Sequence, residues 1–256
     1  MELPKETFRD YINELRLDIK YKYIPFRGYY RIRSYRHMYK KAPEMGLLKF
    51  IVDPSRNSVD IGASLGLFTY FLARYSVHVY AFEPNPLPLR YLRTLVDDNV
   101  TVVHGALSDF SGEVELSIRR NRRGWTCSGA RIGESRGGTV LKVKVPCSRL
   151  DDLGYSNIGF IKIDVQGHEK AVLTGARRTI ERDRPNLFLE NEYAVTGEAM
   201  MDVFALMRDL DYDGFALIDG VLKNVNHFSI EEHQIKPRED RARRKEYVRN
   251  FIFIPK

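Results

Sequence analysis

The stretch VDIGASLGLFTYF, residues 59–71, has the pattern of a strand that ends in a tight turn and continues into a helix. An apolar run closes with Asp60 and Ile61, and Gly62 and Gly66 follow with three residues between them. A glycine has no Cβ, so the backbone can turn tightly there or lie close to a ligand. Because ligands of open parallel sheets bind beyond the carboxyl ends of the strands, the stretch predicts a binding site at this turn.

Short apolar runs alternate with helix-like stretches along most of the chain. This alternation predicts an α/β fold, in which helices cover both faces of a mostly parallel sheet. The predicted strands cover residues 57–62, 77–83, 101–106, 114–119, 141–147, 159–164, 186–191, 215–219 and 250–255. The predicted helices cover residues 66–75, 86–97, 168–181 and 198–209. The two late strands, near 213–218 and 250–254, are expected to pair antiparallel at one edge.

The chain of 256 residues is long enough for one α/β domain and short for two independent cores. Residues 1–50 have apolar side chains at helical spacing, such as Phe8, Leu15 and Ile19, and predict an N-terminal helical cap. Residues 51–256 form the predicted main domain. Within it, residues 119–140 are rich in glycine, serine and arginine, and they predict a mobile basic loop.

The chain is basic, with a net charge of +7 and a pI near 9.3. Residues 119–149 hold nine basic side chains and one acid, and basic residues are interleaved with tyrosines in residues 21–41. Such clusters fit either a solvated surface or a field that attracts an anionic substrate, an anionic membrane surface or nucleic acid.

The two cysteines and the distribution of apolar residues indicate the cellular compartment in which the protein is expected. Cys127 and Cys147 form neither a C-x-x-C pair nor a metal-binding spacing, so they predict free thiols in a reducing compartment. We expect no secretory signal in the charged start MELPKETFRD, and no apolar run is long enough to span a bilayer. These features predict a cytoplasmic protein.

The residues at the predicted turn indicate the chemistry of the ligand. A dinucleotide site reads G-x-G-x-x-G, whereas here the spacing is G-x-x-x-G and Asp60 precedes it. A carboxylate at this turn repels phosphate and favours a cationic amine, such as that of S-adenosylmethionine. Glu83 ends the next strand, where an acid can accept hydrogen bonds from both hydroxyls of a ribose. At a third strand end, an adenine ring could be bracketed by Ala106, Leu107, Ser108 and Asp109, although Asp109 equally fits a turn.

Six blocks of the sequence, in order across residues 59–254, resemble the FkbM family of S-adenosylmethionine-dependent methyltransferases. The blocks are VDIGASLGLFT, AFEPNP, ALSDFSG, LDDLGYSNIGFIKIDVQGHEKAVLTGA, PNLFLENE and NFIFIP. The resemblance implies a class I methyltransferase fold, which is a Rossmann-like, twisted, mostly parallel seven-stranded sheet with helices on both sides. It also implies methyl transfer to a hydroxyl oxygen of a sugar, a glycan or glycolipid precursor, or a secondary metabolite.

The resemblance also places the family's cofactor site on residues of this chain. Asp60, Gly62, Ser64 and Gly66 fall on its cofactor loop, Glu83 and Asn85 on the ribose-binding strand end, and Asp164 on the end of the fourth strand. The family usually has an acid where this chain has Gln166, so one negative charge is missing there.

Methyl transfer to a hydroxyl requires alignment of the acceptor oxygen with the methyl carbon and removal of the hydroxyl proton. The candidate groups follow the fourth and fifth strands, in IDVQGHE and LENEY. His168 is the first candidate for the catalytic base, although it also fits the cap of the helix that starts there. Glu190 and Asp164 are the other catalytic candidates, and Glu192 lies on the same side as Glu190 and is expected to bind substrate.

The same strand ends and the basic loop offer further ligand-binding groups. Asp164, Glu190 and Asn191 form either an oxygen-rich Mg²⁺ site or a set of groups that orient sugar hydroxyls by hydrogen bonds. In the loop, Trp125 offers a face for stacking on a sugar ring, and Arg123 suits a carboxylate or phosphate on the acceptor. A solvated insertion between two strands is the alternative for this loop.

Other functions compete with O-methyl transfer to a hydroxylated, neutral or anionic small molecule or glycan. A nucleic-acid methyltransferase would use the basic patches, but IDVQGH stands where base N-methylation calls for a motif such as Asp/Asn-Pro-Pro-Tyr/Phe. A non-catalytic protein with this fold would bind a partner or a membrane surface through its Tyr/Arg-rich N-terminal segment. The O-methyltransferase is the prediction, and peripheral membrane contact and the oligomeric state stay open.

Overall fold

A computed structural model describes residues 8–19, 26–122, 124–134 and 138–256 of the chain. Its helices are α1 (Phe8–Asp18), α2 (Phe26–Lys41), α3 (Leu48–Ile51), α4 (Leu67–Tyr75), α5 (Pro86–Leu95), α6 (Glu169–Gly175), α7 (Arg177–Asp183), α8 (Tyr193–Thr196), α9 (Ala199–Asp209) and α10 (Lys236–Glu239). Its strands are β1 (Asn57–Ile61), β2 (Val79–Phe82), β3 (Val100–Val103), β4 (Ala106–Leu107), β5 (Gly112–Asn121), β6 (Gly124–Trp125), β7 (Arg131–Ile132), β8 (Val140–Ser148), β9 (Ile158–Ile163), β10 (Asn186–Glu190), β11 (Tyr212–Ile218), β12 (Val221–Asn224) and β13 (Asn250–Pro255). Every predicted strand and helix has a counterpart near its expected bounds, with two exceptions. Strand 101–106 is divided between β3 and β4, which lie in different sheets, and helix 168–181 is two helices that meet at Ala176.

The central sheet has eight strands in the order β12-β11-β13-β10-β9-β1-β2-β3. The five strands from β10 to β3 run parallel, whereas β13 is antiparallel to both β10 and β11. The predicted α/β fold, with a mostly parallel sheet and late strands that pair antiparallel, is therefore confirmed. The expected number of seven strands is wrong, because β12 pairs with β11 and adds an eighth strand at the edge.

Strand β12 follows a two-residue turn, Asp219 and Gly220, whose φ angles are +53° and +76°. Positive φ at both positions is typical of the hairpin turns that Asp-Gly sequences favour. The sequence therefore holds a hairpin signal, but the strand after it is short, and its apolar residues Val221 and Leu222 are exposed.

Strands β4 to β8 form a second sheet, which the sequence pattern does not separate from the first. β5 and β8 pair antiparallel along most of their length, and β7 also pairs with β5. In β8, Val143, Val145 and Cys147 are buried, whereas residues 142, 144 and 146 between them are exposed. Such one-sided burial is typical of an antiparallel sheet, whereas the strands of a parallel sheet are buried on both faces.

Alternate side chains of the parallel strands enter two cores on opposite faces of the central sheet. Phe160 and Phe188 pack with residues of α2, α4 and α5 on one face. Ile161 and Leu187 pack with residues of α6, α7 and α9 on the other face. Helices therefore cover both faces of the sheet, as the sequence predicts.

Helices α1 and α2 pack on one of these faces. Tyr30 of α2 meets Tyr70 edge-on, with ring centroids 5.1 Å apart. Arg90 of α5 forms ion pairs with Glu14 and Asp18 of α1. The division of the chain into a cap and a main domain stays a prediction. Among the described residues, no helix is both long and apolar enough to cross a bilayer.

Replacing Phe160 tests the core between the sheet and α4. Phe160→Ala is expected to lower the free energy of unfolding by about 3–5 kcal/mol, because the ring is fully buried and its removal leaves a cavity. Phe50→Ala, at a ring that is 74% exposed, is the matched control and should change stability by less than about 0.5 kcal/mol. Urea denaturation of the two variants measures the difference. Equal losses in both would contradict the burial of Phe160.

Candidate functional site

Two glycines fix the turn between β1 and α4. Gly62 has a φ of +76°, and a Cβ built on it would lie 1.9 Å from the carbonyl oxygen of Asp164, in the turn after β9. Gly66 has a φ of +77° and caps α4, and a Cβ there would lie 2.5 Å from the Tyr30 hydroxyl and 2.6 Å from Leu92 Cδ1. Because a side chain would collide at either position, Gly62 allows the turns after β1 and β9 to pack directly together, and Gly66 allows Tyr30 and Leu92 to approach the start of α4.

A cleft opens beyond the carboxyl ends of β1, β2 and β9. One wall consists of these strand ends and the turns after them, and residues 127–132 of the second sheet form the other. The polar lining includes Ser64, Glu83, Arg131, Asp164 and Gln166, and the apolar lining includes Phe82, Ala106, Leu107, Leu116 and Ile132. Its place at the strand ends agrees with the site that the sequence predicts.

Glu83 lines the cleft at the end of β2, and two backbone amides hold its carboxylate. Ser64 N donates to Oε2 at 2.6 Å, and Asn85 N donates to Oε1 at 2.7 Å. Burial raises the pKa of Glu83 to about 7, although both hydrogen bonds act in the opposite direction. Each carboxylate oxygen can accept a further hydrogen bond, so the group can bind a pair of neighbouring hydroxyls.

Asp60 lies behind the cleft and does not line it. Its fully buried carboxylate accepts a hydrogen bond from Thr69 Oγ1 at 2.6 Å and lies 3.1 Å from Lys162 Nζ. Lys162 is also buried, and it donates to the carbonyl oxygens of Ile61 and Gly62. The prediction that Asp60 faces a cationic ligand disagrees with this geometry, because Lys162 already occupies the position of the cation.

The residues expected at an adenine ring divide into two pairs. Ala106 and Leu107 line the cleft, whereas Ser108 and Asp109 do not. Asp109 is exposed and accepts a hydrogen bond from Ser108 Oγ at 3.0 Å. Asn85 does not line the cleft either. Its side chain caps α5, since Oδ1 accepts a hydrogen bond from the backbone amide of Leu87. Asp109 and Asn85 therefore have local structural contacts instead of the predicted contacts with a ligand.

Asp164, Gln166 and Glu190 form one connected group where β9 and β10 end. Gln166 Nε2 donates to Asp164 Oδ1 at 2.9 Å and to Glu190 Oε1 at 3.5 Å. Asp164 and Gln166 line the cleft, whereas Glu190 lies behind Gln166 and accepts a hydrogen bond from it. Burial, with a further contribution from the negative charge of Asp164, raises the pKa of Glu190 to about 8, although Arg249 Nε lies 3.6 Å from its carboxylate.

His168 does not line the cleft. Its Nε2 lies 2.8 Å from Ser108 Oγ, and burial lowers the pKa of the ring. The residue occupies the N-cap position of α6, but its side chain makes no capping hydrogen bond. The imidazole ring of His168 therefore contacts Ser108, and it neither lines the cleft nor caps α6.

A profile of the Methyltransferase FkbM domain matches residues 60–213, which is more than half of the chain. The chain belongs to the FkbM methyltransferase family. Membership confirms the resemblance seen in the sequence and the class I methyltransferase fold, and S-adenosylmethionine-dependent methyl transfer is the general activity of that family.

Solved structures similar to this FkbM methyltransferase include methyltransferase FkbM from Methylobacillus flagellatus KT, at 20% identity and a TM-score of 0.49. That match covers 88% of this chain and 50% of the other, so this chain spans half the length of that protein. Precorrin-6y C5,15-methyltransferase from Geobacter metallireducens GS-15 is similar at 15% identity and a TM-score of 0.43, over 85% of this chain and 89% of the other. No curated protein sequence matches the chain.

The donor set at Asp164, Glu190 and Asn191 does not fit a Mg²⁺ ion. The Asn191 side chain is buried, its Nδ2 donates to the carbonyl oxygen of Met200, and its Oδ1 accepts from Thr196 Oγ1. Within the described ranges, no group of three or more His, Cys, Asp or Glu side chains is arranged to hold a metal ion. The other reading of this set, as groups that orient hydroxyls by hydrogen bonds, stays a prediction for the two carboxylates.

Two of the residues predicted to bind substrate, Trp125 and Glu192, do not line the cleft of this FkbM methyltransferase. Trp125 is 8% exposed and packs in the core of the second sheet, with the Arg120 guanidinium 5.1 Å from its ring centroid. The expected open stacking face is therefore wrong, because the ring is buried. Glu192 accepts a hydrogen bond from the Tyr247 hydroxyl and does not line the cleft. Arg123 lies outside the described residues.

The sequence analysis missed most of the wall that faces the strand ends. Of the residues that line the cleft, Gln166 is singled out only for its missing charge and Cys127 only as a free thiol, and no binding role is predicted for residues 128–132. Ser64 Oγ and Asn85 Nδ2 donate to the carbonyl oxygens of Cys127 and Thr126, each at 3.1 Å. The glycine-rich, basic composition indicates such a loop, but composition does not show which side chains face inward. The mobility of the loop stays a prediction.

The buried ion pair behind the cleft can be tested by replacing its cation. Lys162→Met is expected to lower the free energy of unfolding by about 3–5 kcal/mol, because Asp60 would remain buried without a partner. The double variant Asp60→Asn with Lys162→Met should recover much of this loss, since it removes both charges. Arg177→Met, at the exposed pair with Glu181, is the control and should cost less than about 1 kcal/mol. Urea denaturation measures all three, and wild-type stability of Lys162→Met would contradict the pairing.

Proposed function

We propose that this FkbM methyltransferase is an O-methyltransferase that acts on a hydroxyl group of a sugar, a glycan or glycolipid precursor, or a secondary metabolite. The observation that supports this most directly is the pair of carboxylates, Asp164 and Glu190, joined through Gln166 beside the cleft. A hydroxyl must lose its proton during methyl transfer, and a carboxylate can accept that proton. Carboxylates also orient sugar hydroxyls, because each oxygen accepts hydrogen bonds.

The cofactor side of the cleft has groups that suit S-adenosylmethionine. Glu83 can accept hydrogen bonds from the two ribose hydroxyls, and the turn at Gly62 lets the backbone lie close to the ligand. The apolar side chains that line the cleft at residues 82, 106, 107, 116 and 132 offer a surface for a flat adenine ring. When bound, S-adenosylmethionine supplies a methyl group on a cationic sulfonium, and the carboxylate of Asp164 on the cleft wall favours that positive charge.

We assign proton acceptance to Glu190 and orientation of the acceptor hydroxyl to Asp164. Asp164 lines the cleft and Glu190 does not, but Gln166 donates to both carboxylates, so an acceptor bound where β9 and β10 end lies next to this hydrogen-bonded group. A general base is most effective when its pKa lies near the working pH, and the raised pKa of Glu190 meets this condition. His168 is the second candidate, since its Nε2 already contacts Ser108 Oγ.

Calorimetric titration with S-adenosylhomocysteine tests the cofactor side. Wild-type protein is expected to bind it with a micromolar dissociation constant, and Glu83→Ala should weaken binding about tenfold or more, because the ribose hydroxyls lose a buried acceptor. Glu83→Gln keeps the shape of the side chain and one of the two amide hydrogen bonds, so it measures the loss of the charge and of one acceptor oxygen alone. Glu181→Ala, at an exposed carboxylate on α7, is the control and should bind like wild type. Absence of binding by the wild type would contradict the proposal.

The pH dependence of methyl transfer tests the base. The rate is expected to rise with pH and to level off above about pH 8, because only the ionised Glu190 accepts a proton and its pKa is raised to about 8. Glu190→Gln should remove this rise and lower kcat by about 10²- to 10⁴-fold. Initial rates of S-adenosylhomocysteine formation measure both effects, with an acceptor found by screening sugars, glycolipid precursors and hydroxylated metabolites.

His168→Gln is the companion variant in the same pH series. It should keep the rise with pH, because burial lowers the pKa of His168 and raises that of Glu190, so the histidine titrates below the pH range in which Glu190 ionises. Loss of the rise in His168→Gln, with the rise retained in Glu190→Gln, would make the histidine the base and refute the assignment to Glu190.

A further inference from the structure

Arg131 is a cationic side chain on the wall of the cleft, and the proposed reaction makes no use of it. It lies on β7, which pairs with β5, and it belongs to the lining of the cleft. Its Nη2 lies 3.3 Å from the position that a Cβ would take on Gly167, in the turn after β9. Val195 of α8 lies 2.9 Å from that same position. The guanidinium is therefore on the side of the cleft where β9 and β10 end, where the acceptor is proposed to bind.

The guanidinium of Arg131 has hydrogen-bonding capacity left. Its Nε is buried and has no hydrogen-bond partner among the described residues. The neighbouring cations are engaged, since Lys162 pairs with Asp60 and Arg249 lies beside Glu190. A buried donor without a partner costs about 1–3 kcal/mol, and more when the group is charged, so a ligand that pairs with it gains in affinity.

We propose that Arg131 binds an anionic group, a carboxylate or a phosphate, of the methyl acceptor. This inference rests on the O-methyltransferase proposed above and narrows its acceptors to hydroxylated acids and phosphate esters. A guanidinium presents parallel N–H groups that match two oxygens of a carboxylate or phosphate. The carboxylates of Asp164 and Glu190 repel an anion and attract a hydroxyl. The acceptor therefore binds in one orientation, with its anionic group at Arg131 and its hydroxyl at the two carboxylates.

The methionine part of the cofactor is a second source of a carboxylate. The position of Arg131 favours the acceptor, because the guanidinium approaches the turn after β9, whereas the predicted cofactor loop with Gly62 and Ser64 follows β1. The two sources differ in their effect on S-adenosylhomocysteine, which has the same methionine carboxylate as the cofactor. Binding of this compound therefore separates them.

The experiment compares the full-length wild type with Arg131→Gln, Arg131→Lys and Arg177→Gln, a control that removes the same charge from an exposed position. Calorimetry with S-adenosylhomocysteine comes first, and all four proteins should bind it within about twofold of one another. Each loaded protein is then titrated with glucose, glucuronate and glucose 6-phosphate. Wild type and Arg177→Gln should bind an anionic probe about tenfold more tightly than glucose, and Arg131→Gln should lose this preference. Arg131→Lys should keep part of it, because lysine retains the charge without the paired N–H groups.

The result with each probe decides between the outcomes. Preference for glucuronate assigns a carboxylate to the acceptor, and preference for glucose 6-phosphate assigns a phosphate. Equal binding of the charged and neutral probes by the wild type would overturn the proposal, and so would a loss of S-adenosylhomocysteine binding confined to the Arg131 variants. A wild type that does not bind S-adenosylhomocysteine would refute the proposed function itself. Intact binding of that compound without an anion preference refutes only the role of Arg131.

Discussion

The buried ion pair between Asp60 and Lys162 joins the two central strands, β1 and β9, close to their carboxyl ends. Charges without water are tolerated only where polar neighbours satisfy them, and here Thr69 and the carbonyl oxygens of Ile61 and Gly62 do so. The pair stabilises the close approach of the turns after β1 and β9. The turn after β1 also contacts the end of β2, because the backbone amide of Ser64 donates a hydrogen bond to Glu83, the residue after β2. The strand ends that form one wall of the cleft are thus linked by buried polar contacts.

Local patterns in the sequence are sufficient to predict most strands of the central sheet and some of the residues that line the cleft. An apolar run stops at Glu83 and another at Asp164, which predicts strand ends there, and both residues line the cleft. Asp60 has the same local pattern but a different environment, because Lys162 reaches it through the pairing of β1 with β9. A contact between residues so far apart in the chain depends on which strands pair, and the short stretch around Asp60 does not show that β1 pairs with β9.

The second sheet is the part of the fold that the sequence pattern does not predict. The alternation in β5 and β8 predicts two strands, but it does not indicate that they leave the central sheet. This omission affects the predicted site most, because Trp125 is buried in the core of the second sheet and Arg131 of the same sheet lines the cleft. A strand of two residues, such as β7, is too short for a periodic pattern to show which side chain faces a ligand.

The wall formed by residues 127–132 is attached to the opposite side of the cleft through main-chain oxygens. Ser64 and Asn85 donate to the carbonyl groups of Cys127 and Thr126, and every amino acid offers the same carbonyl oxygen at these positions. Substitutions in this wall therefore leave its attachment intact. In a mutant library, the side chains of residues 127–131 can therefore change while these two hydrogen bonds stay the same. The position of this wall and the chemistry of its side chains are thus set by different parts of the chain, the position by the main chain and the chemistry by the side chains.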